Sequence, residues 1–476
     1  MKRLCALLCV SLSACVSTPS YRQPVVETPE RYTSEPLAGL SLQAGGDAGA
    51  KWWAQFGSAQ LDATVDAAFA GNRNLAAAEA NLREAQDLFK AQTGARLPVA
   101  ELAAGPGRQK YGAAFLGPNA GSFPPFTYYS IGINVSYVLD YAGGTRSAIE
   151  QRLALAEVRQ HTLGAARLSL AGNVVLQALA IASAREQLHA VQSIVEEGRR
   201  NVDLVQKALD AGSVARLDLL TAQSQLADDE TLLPPLRQQL SAARHALAVM
   251  VGKPPASFTA PDFDLGAFTL PQSLPLVLPS ELARRRPDIR AEEARLRAAT
   301  AAVGVATANL YPQIKLTGSL SRQALETSDL FDESATAFSL VGNLTAPIFN
   351  GGRLRAERRA SIAAMESTVA GYQHTVLRAF GQIADILTAL EHDQEQIAAQ
   401  QKAFEVAETN LSLARESFSA GNTGVLQILD AQRLSQRARI GVVRAQALRV
   451  QDMVELMVAL GGATEVTAPA SEQEVR

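Results

Sequence analysis

The residues with the clearest chemistry in this 476-residue chain are Leu12-Ser13-Ala14-Cys15. Small residues directly before a thiol match a bacterial lipobox, in which the cysteine is diacylated and becomes the mature N-terminus. Lys2 and Arg3 form a positive start, and Leu4 to Leu12 is an apolar stretch. That stretch is too short to cross a bilayer as a helix and reads as an export signal over residues 1–14. An ordinary secretory signal cut after nearby small residues is the plainer alternative. Several acyl chains on Cys15 would anchor the protein durably, whereas one chain would not. Val16, where an Asp would retain a lipoprotein in the inner membrane, favours the outer membrane.

No other residues point to covalent or metal chemistry. Cys5 and Cys9 lie inside the signal, so the mature chain has one cysteine and no internal disulfide. Stability must then come from packing or assembly. Removing Lys2 and Arg3 takes the net charge from −3 to −5, which argues against nucleic acid as a partner. The five histidines are not paired at metal-ligand spacing, and no Gly-rich phosphate loop is present. No enzyme, cofactor or metal site is expected.

The elements that carry these residues repeat. ALDAGSVARLDLLTAQSQL from Ala208 recurs as SFSAGNTGVLQILDAQRLS from Ser417, a period of 209 residues. Gly212 then falls opposite Gly421, Leu220 opposite Leu429 and Gln223 opposite Gln432. YAGGTRSAIEQ from Tyr141 answers FNGGRLRAERR from Phe349, and Leu97-Pro98 precedes the first as Leu310-Tyr311-Pro312 precedes the second. Three landmarks in one order predict an internal duplication.

Each copy is dominated by helix. Phe126 to Leu233 and Ile348 to Ala468 contain no proline and are rich in Ala, Leu, Gln, Glu and Arg. Thr145–Asp210 can run as one helix of 66 residues, about 100 Å long, and Arg353 to Phe418 matches it. Such lengths belong to coiled coils or helical walls. Regular charges such as Glu157, Arg185, Glu196, Glu197 and Arg199 exclude a membrane span. Gly212 and Gly421 should end these helices in left-handed conformation, with Ser213 and Thr423 capping the returning helices. The returns run from Val214 to about Val251, interrupted at Pro234-Pro235, and from Val425 to about Leu460.

Strands lie between the helices. In Tyr129 to Leu139, Tyr129, Ile131, Ile133, Val135, Tyr137 and Leu139 share one face, opposite Ser130, Gly132, Asn134 and Ser136. Phe338 to Ala346 and the segment around Ile314 to Thr317 alternate likewise, and a weaker strand is expected at Arg96 to Ala104. Gly105 to Pro125 and Ser321 to Ala337 would be the loops. These lengths suit tilted outer-membrane strands; a soluble sheet with one buried face is the alternative. Four strands cannot close a barrel, and lipid does not tolerate open edges. A transmembrane barrel must therefore be shared between chains.

KWWAQFGSAQLDATV from Lys51, LPSELARRRPDIRAEEARLRAA from Leu278 and NLYPQIKLTGSLS from Asn309, with the lipobox, carry a family signature across nearly the whole mature chain. The chain resembles the outer-membrane factors, in particular the lipoprotein branch serving three-part efflux pumps of the resistance-nodulation-division type. The resemblance implies a mixed α/β homotrimer. Four strands per chain, twelve in all, would form an outer-membrane β-barrel continuous with a long periplasmic α-helical barrel. It divides the chain into signal 1–14, lipidated extended segment 15–50, first repeat 51–260, linker 261–279, second repeat 280–462 and tail 463–476. It implies passive conduction of drugs or other small molecules, with a periplasmic membrane-fusion adaptor, an inner-membrane transporter and outer-membrane lipid as partners. Type I protein secretion and metal efflux share the fold and stay open, as does a non-channel lipoprotein scaffold. By resemblance Asp430 lies at a periplasmic gate, with Gln427 where relatives can carry a second acid. Arg216 and Asp218 would help latch the closed tips, and Gly212, Ser213, Gly421 and Thr423 would form tip turns open to the adaptor. Leu217, Leu219, Leu220, Val425, Leu426 and Leu429 are expected to pack the tips from within.

Overall fold

A computed structural model describes residues 21–34, 42–44, 49, 51–111, 124–269 and 274–461. Cys15, the signal, the C-terminal tail and part of the linker lie outside them. The helices are α1 (Ala59–Gly71), α2 (Arg73–Gly94), α3 (Gly144–Asp210), α4 (Arg216–Glu230), α5 (Leu233–Met250), α6 (Pro279–Arg285), α7 (Pro287–Ala308), α8 (Arg353–Ser419) and α9 (Val425–Ala459). The strands are β1 (Leu42–Ala44), β2 (Val99–Gln109), β3 (Phe126–Leu139), β4 (Leu274–Leu276), β5 (Gln313–Ala324) and β6 (Thr336–Thr345). The chain divides into two compact units.

One unit, built on Leu82–Val158 and Glu292–Tyr372, holds an antiparallel sheet in the order β2-β3-β5-β6. The strands are longer than the local pattern suggests. β2 begins three residues later than expected and runs through Gly105 and Pro106, where a loop was expected; β5 continues to Ala324. Ladder pairing with β3 holds both extensions straight, an effect no single-strand pattern contains. Asp140 joins strand to helix: its carboxylate accepts the amides of Thr145 (2.9 Å) and Arg146 (2.7 Å) at the start of α3. Helix N-termini leave such amides without internal partners.

The other unit, built on Val25–Asn81, Arg159–Ala291 and residues 373–461, is a layer of long helices. α3 and α8 are each 67 residues long. Among the described residues α3 is the one helix long and apolar enough to cross a membrane. Its apolar stretch is instead protein core: Val174, Val175, Ala178 and Ile181 are fully buried. Small residues bring the helices close. A Cβ on Gly172 would sit 2.7 Å from Val458, and one on Gly198 3.1 Å from Leu226. The first returning helix breaks at Thr231-Leu232, so Pro234 and Pro235 fall in the first turn of α5, where a missing N–H costs little. α9 runs unbroken.

Two of the signature segments are structural. Trp52, Trp53 and Phe56 form a buried edge-to-face aromatic cluster with Phe69 and Phe268. Arg286 forks onto Asp288 (3.0 and 2.8 Å), then donates to the Ala459 carbonyl (2.9 Å) and the Gln382 amide oxygen (3.1 Å). One guanidinium thereby ties the start of α7 to the end of α9 and the side of α8. Burial works to raise the Asp288 pKa, but the hydrogen bonds and charge of Arg286 hold it below the usual carboxylate value.

Candidate functional site

The sheet register sorts its residues by chemistry. Leu102, Ile133, Leu320 and Phe338 form one row across all four strands. Val135 and Leu340, Tyr137 and Leu316, and the trio Leu139, Ile314 and Leu344 extend the same face. From Ile131 to Leu139 this face covers eight residue steps, about 26 Å along the strand and about 20 Å after a 40° tilt. It is uncovered: Phe338 is 83% exposed and Leu340 82%. A soluble sheet would bury such a face, so that alternative fails; a contiguous apolar patch of this size calls for lipid. The opposite face carries Asn134, Ser136, Thr317, Ser319 and Ser339, with Ser319 and Ser339 hydrogen-bonded at 2.9 Å. β2 and β6 each have one edge that pairs with no described strand.

At the helical tips the two turns have the same backbone. Gly212 and Gly421 both have φ of 75°. The amides of Gly212 and Ser213 return to Leu209 and Ala208 (both 2.9 Å), as those of Gly421 and Asn422 return to Phe418 and Ser417 (both 2.9 Å). This double closure satisfies the last helical carbonyls and needs a residue at ease with positive φ. Ser213 acts on the preceding helix rather than the following one, its hydroxyl donating to the Ala208 carbonyl at 2.8 Å. Thr423 does not cap: its hydroxyl is buried without a partner. The cap of α4 comes from Asp218, whose carboxylate accepts the Ala215 amide at 2.9 Å. This is one half of a capping box: Ala215 has no side-chain acceptor to return the bond, so the sequence lacks the usual Ser/Thr signal.

Packing at the tips is also divided. Leu219 and Leu429 are buried with Val205 and Ala222, against Val202, Leu209, Val214 and Phe418, so the two hairpins share one apolar cluster. Leu217 (72% exposed), Leu220 and Leu426 do not pack inside, contrary to expectation. The side chain of Val425 lies outside the described residues. A helix buries only one stripe, and these leucines fall on the other. Asp430 sits between buried Leu429 and Ala431 and is itself exposed, with Arg433 3.4 Å away. Gln427, three residues earlier, is exposed on the same side of α9. Arg216 is exposed and joins no ion pair among the described residues, and the capping of Asp218 turns that carboxylate toward its own backbone.

A profile of outer membrane efflux proteins matches residues 64–253 and 278–462. The chain belongs to the outer membrane efflux protein family. It is 32% identical over 460 residues to the pyoverdine export outer membrane protein OpmQ of Pseudomonas aeruginosa, covering 95% of each chain. It is 27% identical to the cation efflux system protein CusC of Escherichia coli, over 96% of this chain and 98% of that one. Among solved structures it matches the outer-membrane channel OprN with a TM-score of 0.86 and 29% identity, over 94% of this chain and 99% of the other. The protein is thus an outer-membrane efflux channel.

Two further features of this channel protein had no sequence signal. The first is a strap of side chains along residues 21–34. In the sheet-bearing unit the Tyr21 hydroxyl donates to Glu293 (3.1 Å) and Gln23 to the Tyr372 hydroxyl (3.3 Å). In the helical unit Tyr32 donates to the Val277 carbonyl (2.7 Å) and packs edge-on to Phe380. The second is a carboxylate pair between α8 and α9. Asp393 is 4% exposed and one of its oxygens has no donor, while Asp452 lies within hydrogen-bonding reach. Burial, then the Asp393 charge and hydrogen bond, push Asp452 up to about 7. Burial raises Asp393 too, against its hydrogen bond to Asp452 and the Arg449 charge. A proton shared between the two carboxyls would relieve their repulsion and supply the donor that this oxygen lacks.

Proposed function

We propose that three copies of this chain join their open β2 and β6 edges into a twelve-stranded barrel, and that their long helices form a periplasmic tunnel leading into it. The observation that carries this reading is the four-stranded sheet with an exposed apolar face and two unpaired edges, since lipid cannot hydrogen-bond an open edge. The equal lengths of α3 and α8, the matching tip turns and the two matched family segments support an internal duplication, with repeats at 51–260 and 280–462. Cys15 carries the acyl anchor, and the strap from Tyr21 to Tyr32 fastens the segment that follows it.

Cargo enters from an inner-membrane resistance-nodulation-division transporter through a periplasmic adaptor and passes outward without energy input from this chain. The tip turns, exposed at Gly212, Ser213 and Gly421 and half-buried at Thr423, are flanked by outward-facing Leu217 and Leu426 and are the surface offered to the adaptor. Asp430 repeats threefold as an acidic constriction that favours cations, while Gln427 leaves that ring single. Arg216, which joins no ion pair among the described residues, reaches across to the neighbouring copy and holds the resting tips; Asp218 supports it by fixing the turn. The cargo is a small molecule, in keeping with the export and efflux roles that the names of OpmQ and CusC carry.

Planar-bilayer conductance of the purified oligomer, with its native mass measured on the same sample, tests the assembly. A trimer with discrete openings, whose block by cations weakens in Asp430→Ala, is the expected result. A monomer, or a trimer that stays silent even when the tips are loosened by Asp218→Ala with Arg216→Ala, overturns it.

A further inference from the structure

The water-facing side of the sheet has very few charges. Through the ladders, Val99, Glu101, Ala103, Gly105, Gly107 and Gln109 of β2 share a face with the even-numbered residues of β3, the odd-numbered residues of β5 and the odd-numbered residues of β6. Serine, threonine, asparagine and glutamine supply its polarity. Only Glu101 and Lys315 carry charge there at neutral pH. Both are exposed, and neither takes part in an ion pair or side-chain hydrogen bond among the described residues.

Their register keeps them apart. Glu101 lies opposite Asn134, which lies opposite Ser319; Lys315 lies opposite Val138 and Asn343. Four residue steps and two strands separate them, about 13 Å along the sheet and about 10 Å across it. At about 16 Å, beyond a Debye length in 0.1 M salt, they act as separate charges. On β3, Lys315 lies level with Val138, one step from the strand end that leads into α3, and Glu101 lies level with Asn134, five steps from that end.

We propose that Glu101 and Lys315 are the residues that set the charge preference of the membrane-spanning segment, as a basic band followed by an acidic band along the exit path. This rests on the channel reading above, in which each residue occurs three times around the lumen. A solute leaving the helices meets three ammonium groups first and three carboxylates next. The pair thus favours cargo that carries both signs of charge, such as a zwitterion, over a multiply charged ion of either sign. The segment acts in series with Asp430, and its neutral hydroxyl and amide lining leaves these two bands unopposed.

The test uses full-length protein with the tips loosened by Asp218→Ala and Arg216→Ala, measured by reversal potential in a potassium chloride gradient of low ionic strength. Three charges about 10 Å from the axis should change the cation-to-anion permeability ratio by about two- to fourfold at 0.1 M salt. Glu101→Gln should lower the ratio, Lys315→Gln should raise it, and the double variant should return toward the parent. Equal ratios in all variants, or shifts of the same sign, overturn the proposal. A second readout is independent of conduction. Glu101→Cys and Lys315→Cys should react with both a cationic and an anionic membrane-impermeant thiol reagent added from outside. Labelling at both sites with no shift in the ratio defeats the charge bands alone; no labelling at either site defeats the lumen assignment beneath them.

Discussion

Replacing Asp452 with Asn should remove a pH dependence built into the packing of α8 on α9. In the unfolded chain an Asp titrates near 3.9, whereas burial, and then the charge and hydrogen bond of Asp393, push Asp452 up to about 7. Between these values the folded protein binds more protons than the unfolded one, so local stability is fully present below about pH 4 and is lost as pH rises through 7. A shift of about three units would correspond to about 4 kcal/mol if unscreened. Asp452 is only partly buried, and solvent screening brings a realistic value to about 1–2 kcal/mol. The assay is amide hydrogen exchange of the segments around Asp393 and Asp452, comparing wild type with Asp452→Asn at the same pH so that intrinsic exchange cancels. At pH 8 the variant, whose amide donates permanently to Asp393, should exchange about 5- to 30-fold more slowly than wild type; the difference should shrink steadily on acidification and be largely gone by about pH 4. Identical ratios at both pH values would refute the shared proton.

Arg286→Ala should destabilise the helical unit by about 1–3 kcal/mol, because it leaves the half-buried Asp288 without its fork and frees the Ala459 carbonyl; thermal melting in detergent reads this, and Arg286→Lys should recover only part. Since Asp288 is held below its ordinary value, wild type should also lose this contribution as pH falls through the carboxylate range, a loss absent from Arg286→Ala. Asp218→Ala should cost about 1 kcal/mol at the first tip through loss of the cap, seen as faster exchange at Ala215 with no change around Asp393. Leu340→Lys on the uncovered sheet face should reduce membrane insertion by about 2–4 kcal/mol at mid-bilayer, whereas Ser339→Lys on the polar face should insert normally; equal insertion of the two variants would invert the assignment of the faces.

Local chemistry along the chain is enough to determine much of this protein. The period of 209 residues, the proline-free Ala-rich runs and the glycines at 212 and 421 specify two long hairpins, because helix propensity and left-handed termination are properties of short segments. Alternation in Tyr129 to Leu139 likewise specifies a strand with one apolar face. The quoted signature segments point to the family before any contact is known.

Which partner each of those residues meets was decided only by tertiary structure. Leu219 is buried and Leu217 exposed because a helix turns 100° per residue and a second hairpin covers one side alone. Arg286 reaches Ala459, and Asp393 meets Asp452, across long stretches of sequence. The apolar strand face is ambiguous in sequence between a soluble core and lipid. The exposure of Phe338 and Leu340 among the described residues resolves it, and burial is a property of the folded chain rather than of any residue in it.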